Sequence, residues 1–208
     1  MRLITVNDNP YGQNVYFYFD EETSEGVVID PGDCIEAMKK TIAENKINVV
    51  GILLTHGHFD HTFRTNELRE YTNAPVCAHE SEKELLQNVQ YNRSGYRGLN
   101  VKVAPDKFFS DGDVFSFSGG EKLQVIHTPG HTAGGICFYD EKAGVLFTGD
   151  TLFRGTIGRT DMPTGDHAEL LKSVRERLFT LPDNVKVYPG HEESSSIQQE
   201  KQYNRAVM

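Results

Sequence analysis

Four side chains that can bind a metal ion lie within six consecutive residues of this 208-residue chain. They are His56, His58, Asp60 and His61, in the pattern His-x-His-x-Asp-His. Imidazole and carboxylate groups together are typical ligands of zinc, iron or manganese. The alternative is a histidine-rich turn that binds nothing. It is disfavoured because four such side chains within six residues would cost strain and desolvation that no other group offsets. The pattern therefore predicts a metal site. Ligands packed this tightly in one turn can diverge toward two ions.

Three further polar residues, His131, Asp150 and His191, each follow a glycine. His131 and His191 both end a Pro-Gly-His sequence, and all three come shortly after a stretch with strand-like composition. Glycine lets the backbone turn tightly and approach a ligand closely. Crevices at the carboxyl ends of strands are favoured binding sites in layered α/β folds, so we expect these residues to share one site.

The first half of the chain alternates between predicted strands and helices. A hairpin is predicted at 14–19 and 26–30, strands at 47–54 and 75–78, and helices at 33–46, 62–71 and 81–89. Asp33 is the expected N-cap of the first helix. The mostly apolar run at 47–54 is typical of a strand covered on both faces, and it ends directly before the metal-binding motif.

The second half begins with strands alone and returns to helices near its end. Strands are predicted at 114–117, 122–126, 135–139, 144–147 and 185–188, and helices at 166–179 and from Ser196. Successive strands without intervening helices indicate antiparallel pairing. No linker-like segment divides the chain, so we expect a single α/β domain over residues 1–208.

Composition and charge exclude several classes of function. The formal net charge of −9 repels nucleic acid, and no basic cluster compensates for it. The longest apolar stretch is too short for a membrane span of roughly 20 residues. A secretory leader pattern is missing, so we expect a cytoplasmic protein. Cys34, Cys77 and Cys137 lack the spacing of a thiolate site and are expected to be buried free thiols.

The motifs resemble those of the metallo-β-lactamase superfamily and, within it, of the glyoxalase II-like hydrolases. The resemblance spans nearly the whole chain and rests on the motif at 56–61, Thr-Pro-Gly-His-Thr at 128–132, Gly-Asp at 149–150 and Pro-Gly-His at 189–191. It implies a four-layer αββα sandwich, the metallo-β-lactamase fold. It also implies two divalent metal ions, with zinc as the first choice and iron or manganese as alternatives.

Carried over residue by residue, the resemblance implies two sets of three ligands and a bridge. The sets are His56, His58 and His131 for one ion, Asp60, His61 and His191 for the other, and Asp150 for both. A carboxylate between two cations reduces their repulsion, and a shared hydroxide beside it is a nucleophile at neutral pH. The resemblance therefore implies a hydrolase that uses a metal-bridging hydroxide, with Asp60 and Asp150 as its catalytic carboxylates.

The implied substrate is a small thioester of the hydroxyacylglutathione type. Glyoxalase II proper carries a helical C-terminal domain that helps to hold glutathione, whereas 17 residues, 192–208, follow His191 here. We therefore expect that domain to be absent and a small acidic thioester to be the substrate.

Two loops offer candidate substrate contacts. Arg154 and Arg159 follow the implied bridge and could clamp a substrate carboxylate, although solvated surface arginines are an equal alternative. Tyr91 and Tyr96 lie in the segment 90–100, together with two arginines and two glycines. That segment is predicted to be a loop, either a substrate-recognising lid near the mouth of the site or a plain surface loop.

Four other polar residues receive weaker predictions. His127 either orients a metal ligand or packs structurally. His79 and His167 are expected at the surface, near helix starts. Asp30 is expected to be a turn residue or to support a ligand rather than to act as a catalyst.

A different chemistry on the same fold is that of persulfide dioxygenase, an iron enzyme. The segment Gly158-Arg159-Thr160-Asp161 is similar to one in that group. Both classes draw ligands from overlapping positions, so metal content and oxygen uptake must distinguish them. Hydrolysis is the favoured interpretation, and a lactonase is a weaker hydrolytic option. The sequence makes no prediction of the oligomeric state.

Overall fold

A computed structural model describes residues 1–208 and contains two six-stranded sheets. The first sheet runs in chain order through β1 (Arg2–Val6), β2 (Val15–Phe19), β3 (Glu25–Ile29), β4 (Asn48–Leu53), β5 (Val76–His79) and β6 (Lys107–Phe109). The strands from β1 to β3 pair antiparallel, and those from β3 to β6 pair parallel. The predicted hairpin and the buried strand that precedes the metal-binding motif are confirmed.

The second sheet is built from the second half of the chain. Between its fourth and fifth strands the chain forms a separate two-stranded pair, β11 (Leu152–Phe153) and β12 (Thr156–Ile157). The six strands of the sheet itself are β7 (Val114–Ser116), β8 (Lys122–His127), β9 (Ile136–Asp140), β10 (Val145–Gly149), β13 (Lys186–Pro189) and β14 (Ser195–Ser196). The strands from β7 to β10 pair antiparallel, as predicted, and β13 lies parallel to β10.

Six α-helices complete the fold: α1 (Ile35–Asn45), α2 (Phe59–Thr62), α3 (Thr65–Thr72), α4 (Lys83–Gln87), α5 (His167–Ser173) and α6 (Ile197–Tyr203). Short 3₁₀ turns lie at Glu80–Glu82 and Gly95–Arg97, and a π turn at Val174–Leu178 extends α5. None of the helices combines the length and the apolar character that crossing a bilayer requires.

Alternation along the strands separates the layers, because successive side chains of a strand point to opposite faces. On β2, Tyr16 and Tyr18 point between the two sheets and meet Phe138 and Phe147 of the second sheet. Their neighbour Phe17 points outward into the cluster formed with the helices. Both faces of the strand are therefore buried.

The outer faces of the sheets are covered by helices of the neighbouring chain segments. Met38 of α1 and Leu68 of α3 pack on the first sheet. Val174, Leu178 and Ile197, from the π turn and α6, pack on the second. The order of layers is helix, sheet, sheet, helix, which confirms the predicted αββα sandwich.

Hydrogen bonds join the two sheets at the edge where β13 ends. Tyr16 Oη donates a hydrogen bond to the carbonyl oxygen of Pro189 at 2.6 Å, and Asn14 Nδ2 donates to the same oxygen at 3.0 Å. The backbone N–H of Asn14 donates to the carbonyl of Gly190 at 2.8 Å. These bonds place the Pro-Gly-His turn of the second sheet directly beside the first sheet.

Some local predictions are wrong. Cys34 rather than Asp33 is the N-cap of α1, since the Asp33 carboxylate instead accepts a hydrogen bond from Arg64 Nε at 2.8 Å. The helix predicted at 62–71 begins at Phe59 and breaks between α2 and α3. The strands β1 and β6 were missed because they lie at the edges of their sheet and carry few buried side chains.

Replacing Phe138 with alanine should lower the free energy of unfolding by about 3–5 kcal/mol, because the ring is fully buried between the sheets. Urea unfolding followed by circular dichroism measures the change. Phe108→Ala is the matched control, since that ring is 43% exposed, and it should cost less than about 1 kcal/mol. Equal losses in the two variants would contradict this view of the core.

Candidate metal centre

Three buried histidines converge where β4 and β8 end. Nδ1 of His58 lies 2.9 Å from Nε2 of His131, and the ligand atoms of His56, His58 and His131 all lie within 4.8 Å of one another. Nε2 of His56 is buried without a hydrogen-bond partner. Nitrogen lone pairs that point at one another in a buried space are unfavourable without a proton or a cation between them. The geometry therefore suits a divalent cation.

A second set of ligand atoms lies beside the first. Nε2 of His61 is 3.2 Å from Nε2 of His191, and Oδ2 of Asp60 is 3.4 Å from Nε2 of His191. Oδ2 of Asp60 is 4.0 Å from Nε2 of His61. Two imidazoles and a carboxylate form a donor set that zinc, iron and manganese all accept.

Asp150 stands between the two sets. Its Oδ1 is 3.3 Å from Nε2 of His61, and its Oδ2 is 3.6 Å from Nε2 of His131 and 3.8 Å from Nε2 of His191. The carboxylate of Asp150 therefore lies close to histidines of both sets. A shared carboxylate is what two closely spaced cations require.

Hydrogen bonds on the far side of three rings leave a lone pair directed into the site. Nδ1 of His61 donates to Oδ2 of Asp30 at 2.9 Å, and Nδ1 of His131 donates to the carbonyl of Arg159 at 2.7 Å. The Thr55 hydroxyl donates to Asp30, so at 3.1 Å its oxygen accepts from Nδ1 of His56. Such bonds select the tautomer and fix the ring orientation that metal binding needs.

Glycines give the ligands room to approach one another. A Cβ at Gly190 would collide with Oδ1 of Asp150 and with Cε1 of His61, and a Cβ at Gly158 would collide with the backbone of Asp150. Gly190, which precedes His191, therefore allows the backbone to come close to Asp150 and His61, as predicted.

Burial keeps the first set of rings neutral. It lowers the pKa of His58 to about 3 and places the pKa of His56 well below its usual value. Burial also lowers the pKa of His131. These rings are ready to donate a lone pair at neutral pH.

The pKa values of the rings in the second set are shifted in the opposite direction. Burial opposes a charge on His61 and His191, but the carboxylates of Asp150 and Asp60 outweigh it and raise the pKa of both rings. In turn the histidines hold the pKa values of Asp60 and Asp150 below their usual range, although burial alone would raise them. Without a cation, this set is an ion-paired cluster.

All seven residues predicted as ligands thus meet at one edge of the sandwich. Asp30 supports a ligand, as expected, through its bond to His61. It also accepts from the N–H and the hydroxyl of Thr55, so its oxygens are already engaged.

The expectations for two other histidines need correction. His79 is buried rather than exposed, and its Nδ1 accepts from the N–H of Ser81 at 3.2 Å. Its ring stacks on His127 with 4.1 Å between centroids, and Nε2 of His127 donates to the carbonyl of Ala133 at 3.0 Å. The hydrogen bonds and the ring contact of His127 reach no predicted ligand, which favours its packing role. His167, at the start of α5, is exposed as predicted.

A cleft of about 270 Å³ opens in front of the ligands. Two of the candidate substrate contacts, Tyr96 and Arg159, line it, and Arg93 and Arg97 line it too. The sequence places these two arginines in the same loop as Tyr96, one on each side of it. That arrangement is the signal in the sequence that points to them.

Two of the candidate substrate contacts lie elsewhere. Arg154 occupies the turn between β11 and β12, where it is exposed and paired with Glu193. Arg154 is not among the residues that line the cleft. Tyr91 does not line it either, and its backbone N–H donates to Oδ1 of Asn88 at 3.3 Å.

The profile described as "Metallo-beta-lactamase superfamily" matches residues 8–191. The chain belongs to the metallo-β-lactamase superfamily. Relatives similar to it include the "Hydroxyacylglutathione hydrolase GloC" of Haemophilus influenzae, 35% identical over 208 residues that cover 98% of this chain and 97% of the relative. The "Probable metallo-hydrolase YqgX" of Bacillus subtilis is 35% identical, with 94% and 92% covered.

Solved structures of superfamily members superpose closely on this chain. BLEG-1 B3 metallo-β-lactamase has a TM-score of 0.94 at 31% identity, with both chains covered completely. TTHA1623, solved in a di-iron-bound form, has a TM-score of 0.85 at 32% identity, with 99% of each chain covered. ETHE1 from Myxococcus xanthus has a TM-score of 0.82 at 31% identity, with 100% of this chain and 84% of that one covered.

We expect acid to remove metal from the two sets in sequence. His61 and His191, with raised pKa values, take up protons at a higher pH than the first set, and an ion must displace those protons. Zinc content measured after dialysis from about pH 8 to about pH 5 should fall first to a plateau near one ion per chain. Simultaneous loss of both ions would contradict the difference between the sets.

Proposed function

We propose that this protein is a dinuclear metal-dependent hydrolase that cleaves small acidic thioesters of the hydroxyacylglutathione type, and that residues 1–208 act as one domain. The observation that carries the proposal is the pair of convergent ligand sets with Asp150 between them, opening onto an arginine-lined cleft. The similarity to the relative from Haemophilus influenzae supports the choice of thioester.

In this proposal His56, His58 and His131 hold one ion, Asp60, His61 and His191 hold the other, and Asp150 contacts both. Two divalent cations held there would supply Lewis acidity, which lowers the pKa of bound water to about 7 and polarises a carbonyl. Zinc is the first choice, and iron remains an alternative because TTHA1623 is similar and was solved with two irons.

In this proposal Asp60 and Asp30 assist the attack of water. The side chain of Asp60 is 22% exposed at the cleft wall, and its lowered pKa keeps it ionised. An ionised carboxylate accepts a hydrogen bond and orients an attacking water. Asp30 keeps the lone pair of His61 Nε2 directed at the site.

A cysteine nucleophile is disfavoured by the structure. Cys34, Cys77 and Cys137 are buried, and burial raises the pKa of each thiol to about 11. A thiol without thiolate character is a poor nucleophile. Water is therefore the nucleophile in this proposal.

The cleft favours an anionic substrate although the protein is acidic. Arg93 and Arg97 have no carboxylate within ion-pair distance, whereas Arg159 is paired with Asp161 at 2.7 Å. The guanidinium of Arg93 lies 4.5 Å from the centre of the Tyr96 ring, which holds it at the cleft. Two unpaired guanidinium groups beside the ligands suit the carboxylates of a glutathione-like thiol.

A second candidate is an iron-dependent persulfide dioxygenase. The segment that resembles that group lies at the site: the carbonyl of Arg159 orients His131, and Gly158 packs against Asp150. The similarity of ETHE1 and of the di-iron TTHA1623 keeps this candidate open. A lactonase belongs in the same substrate panel.

Removing Arg93 and Arg97 together should raise KM for lactoylglutathione at least tenfold and change kcat little, because the arginines bind the thiol half away from the scissile bond. A tenfold loss corresponds to about 1.4 kcal/mol, within the range for hydrogen bonds to charged groups. Steady-state hydrolysis measures it.

Arg205→Ala is the matched control, since Arg205 is exposed and lies outside the cleft. A thioester of an uncharged thiol should be hydrolysed equally by the parent protein and by the double variant. If the double variant loses activity on both substrates alike, the arginines do not select the charge.

His191→Ala distinguishes hydrolysis from oxidation. Hydrolysis by two ions requires both ligand sets, so zinc-loaded His191→Ala should lose at least tenfold in thioester turnover, while the parent consumes no oxygen. The measurements are thioester cleavage and oxygen uptake with glutathione persulfide. Oxygen uptake by the iron-loaded parent that persists in His191→Ala would favour the dioxygenase instead.

A further inference from the structure

A carboxylate that serves none of the proposed ligand roles is buried behind the first ligand set. Glu82, at the end of the 3₁₀ turn Glu80–Glu82, is 1% exposed. Its Oε2 accepts the backbone N–H of Gly57 at 2.7 Å, and its Oε1 accepts the backbone N–H of Gly134, also at 2.7 Å. Burial raises the pKa of this carboxyl, and interactions with the Thr132 side chain and with the two backbone N–H groups oppose that rise.

The two glycines belong to the two loops that supply the first ligand set. Gly57 lies between His56 and His58, after a strand of the first sheet. Gly134 lies three residues after His131, in the loop between β8 and β9 of the second sheet. A single carboxylate therefore joins the loop that carries two of the histidines to the loop that carries the third.

The contact leaves no room for a side chain on either glycine. A Cβ at Gly57 would lie 2.5 Å from Cδ2 of Leu85 and 3.0 Å from Oε2 of Glu82. A Cβ at Gly134 would lie 2.7 Å from the backbone nitrogen of Glu82 and 2.8 Å from its Oε1. Both loops thus approach Glu82 as closely as bare backbone allows, and the carboxylate sets their separation.

The second ligand set has its own support. His61 is held by Asp30, which follows β3, and His191 follows β13. Glu82 makes no hydrogen bond to either residue. Asp30 bonds to His61 directly, and it reaches His56 of the first set only through the Thr55 hydroxyl.

We propose that Glu82 is a positioning residue that holds His56 and His58 at the correct separation from His131 before an ion arrives, and so sets the affinity of that set for a divalent cation. The inference rests on the metal-binding part of the proposed function and is independent of the substrate. Two short hydrogen bonds to one carboxyl group restrict both loops, and a set that is already arranged loses less entropy on binding.

The direct test is Glu82→Gln. Glutamine keeps the size of the side chain but offers one acceptor oxygen and one NH₂ donor, so one glycine N–H must face another donor. Hydrogen exchange of the metal-free protein, followed by NMR, should show faster exchange at the amide of Gly57 or of Gly134. Zinc titration against a competing chelator should show at least a tenfold weaker affinity for one ion and an unchanged affinity for the other.

Glu80→Gln is the matched control for charge, since Glu80 lies in the same turn but is exposed, and it should leave both affinities unchanged. Asp30→Asn is the comparison variant and should weaken the ion held with His61 more than the other ion, because Asp30 bonds to His61 directly and reaches His56 only through Thr55. Glu82→Asp keeps two acceptor oxygens on a shorter side chain, so the zinc affinity of this variant should lie between those of the parent and Glu82→Gln. If Glu82→Gln fails to fold, Glu82→Asp takes its place in the test.

Three outcomes would overturn the inference: no zinc binding by the parent protein, equal weakening of both ions in Glu82→Gln, or unchanged exchange at both glycine amides. Because zinc affinity and amide exchange are measured without substrate, they test the positioning role even if no thioester is hydrolysed. Absence of thioester turnover in a parent protein that binds two zinc ions would instead reject the proposed function alone.

Discussion

The structure depends on the electrostatic cost of burying imidazole and carboxylate groups together at one edge of a β-sandwich. Four of the histidines, His56, His58, His61 and His131, are at most 3% exposed, whereas the side chains of His191 and Asp60 are 24% and 22% exposed. Nitrogen atoms as close as 2.9 Å repel one another unless a proton or a cation lies between them. The two ligand sets meet this cost differently: the first remains neutral through desolvation, and the second is stabilised by ion pairing with Asp60 and Asp150.

Holding so many polar groups in place requires support from outside the ligand sets. Asp30 accepts three hydrogen bonds, two from Thr55 and one from His61. Glu82 accepts two, one from each of the loops that carry the first set. The hydrogen-bond partners of both carboxylates lie at least 25 residues away in the sequence. The support for the ligand sets therefore depends on the tertiary fold. Rings held in this way do not have to become ordered when an ion binds, and their tautomers are already selected.

The front of the site has a charge opposite to that of the whole protein. The chain carries a formal net charge of −9, yet the cleft before the ligands is lined by Arg93, Arg97 and Arg159. A local concentration of positive charge in a cleft attracts small anions even when the net charge is negative, because fields are focused where solvent is excluded. Substrate selection among proteins that share one fold commonly resides in such loops.

Local sequence pattern is enough to predict the seven candidate ligands, most of the alternation of strands and helices, and the position of each candidate ligand after a strand. Those properties depend on local pattern, because strand periodicity and turn glycines act over a few residues. Which loops line the cleft depends on long-range packing. Arg154 closely follows Asp150 in sequence but pairs with Glu193 and does not line the cleft, whereas Arg93 and Arg97, far from the motif, do line it. Likewise Glu82 and His79 gave no sequence signal, since their roles come from backbone groups and rings that only long-range packing brings to them.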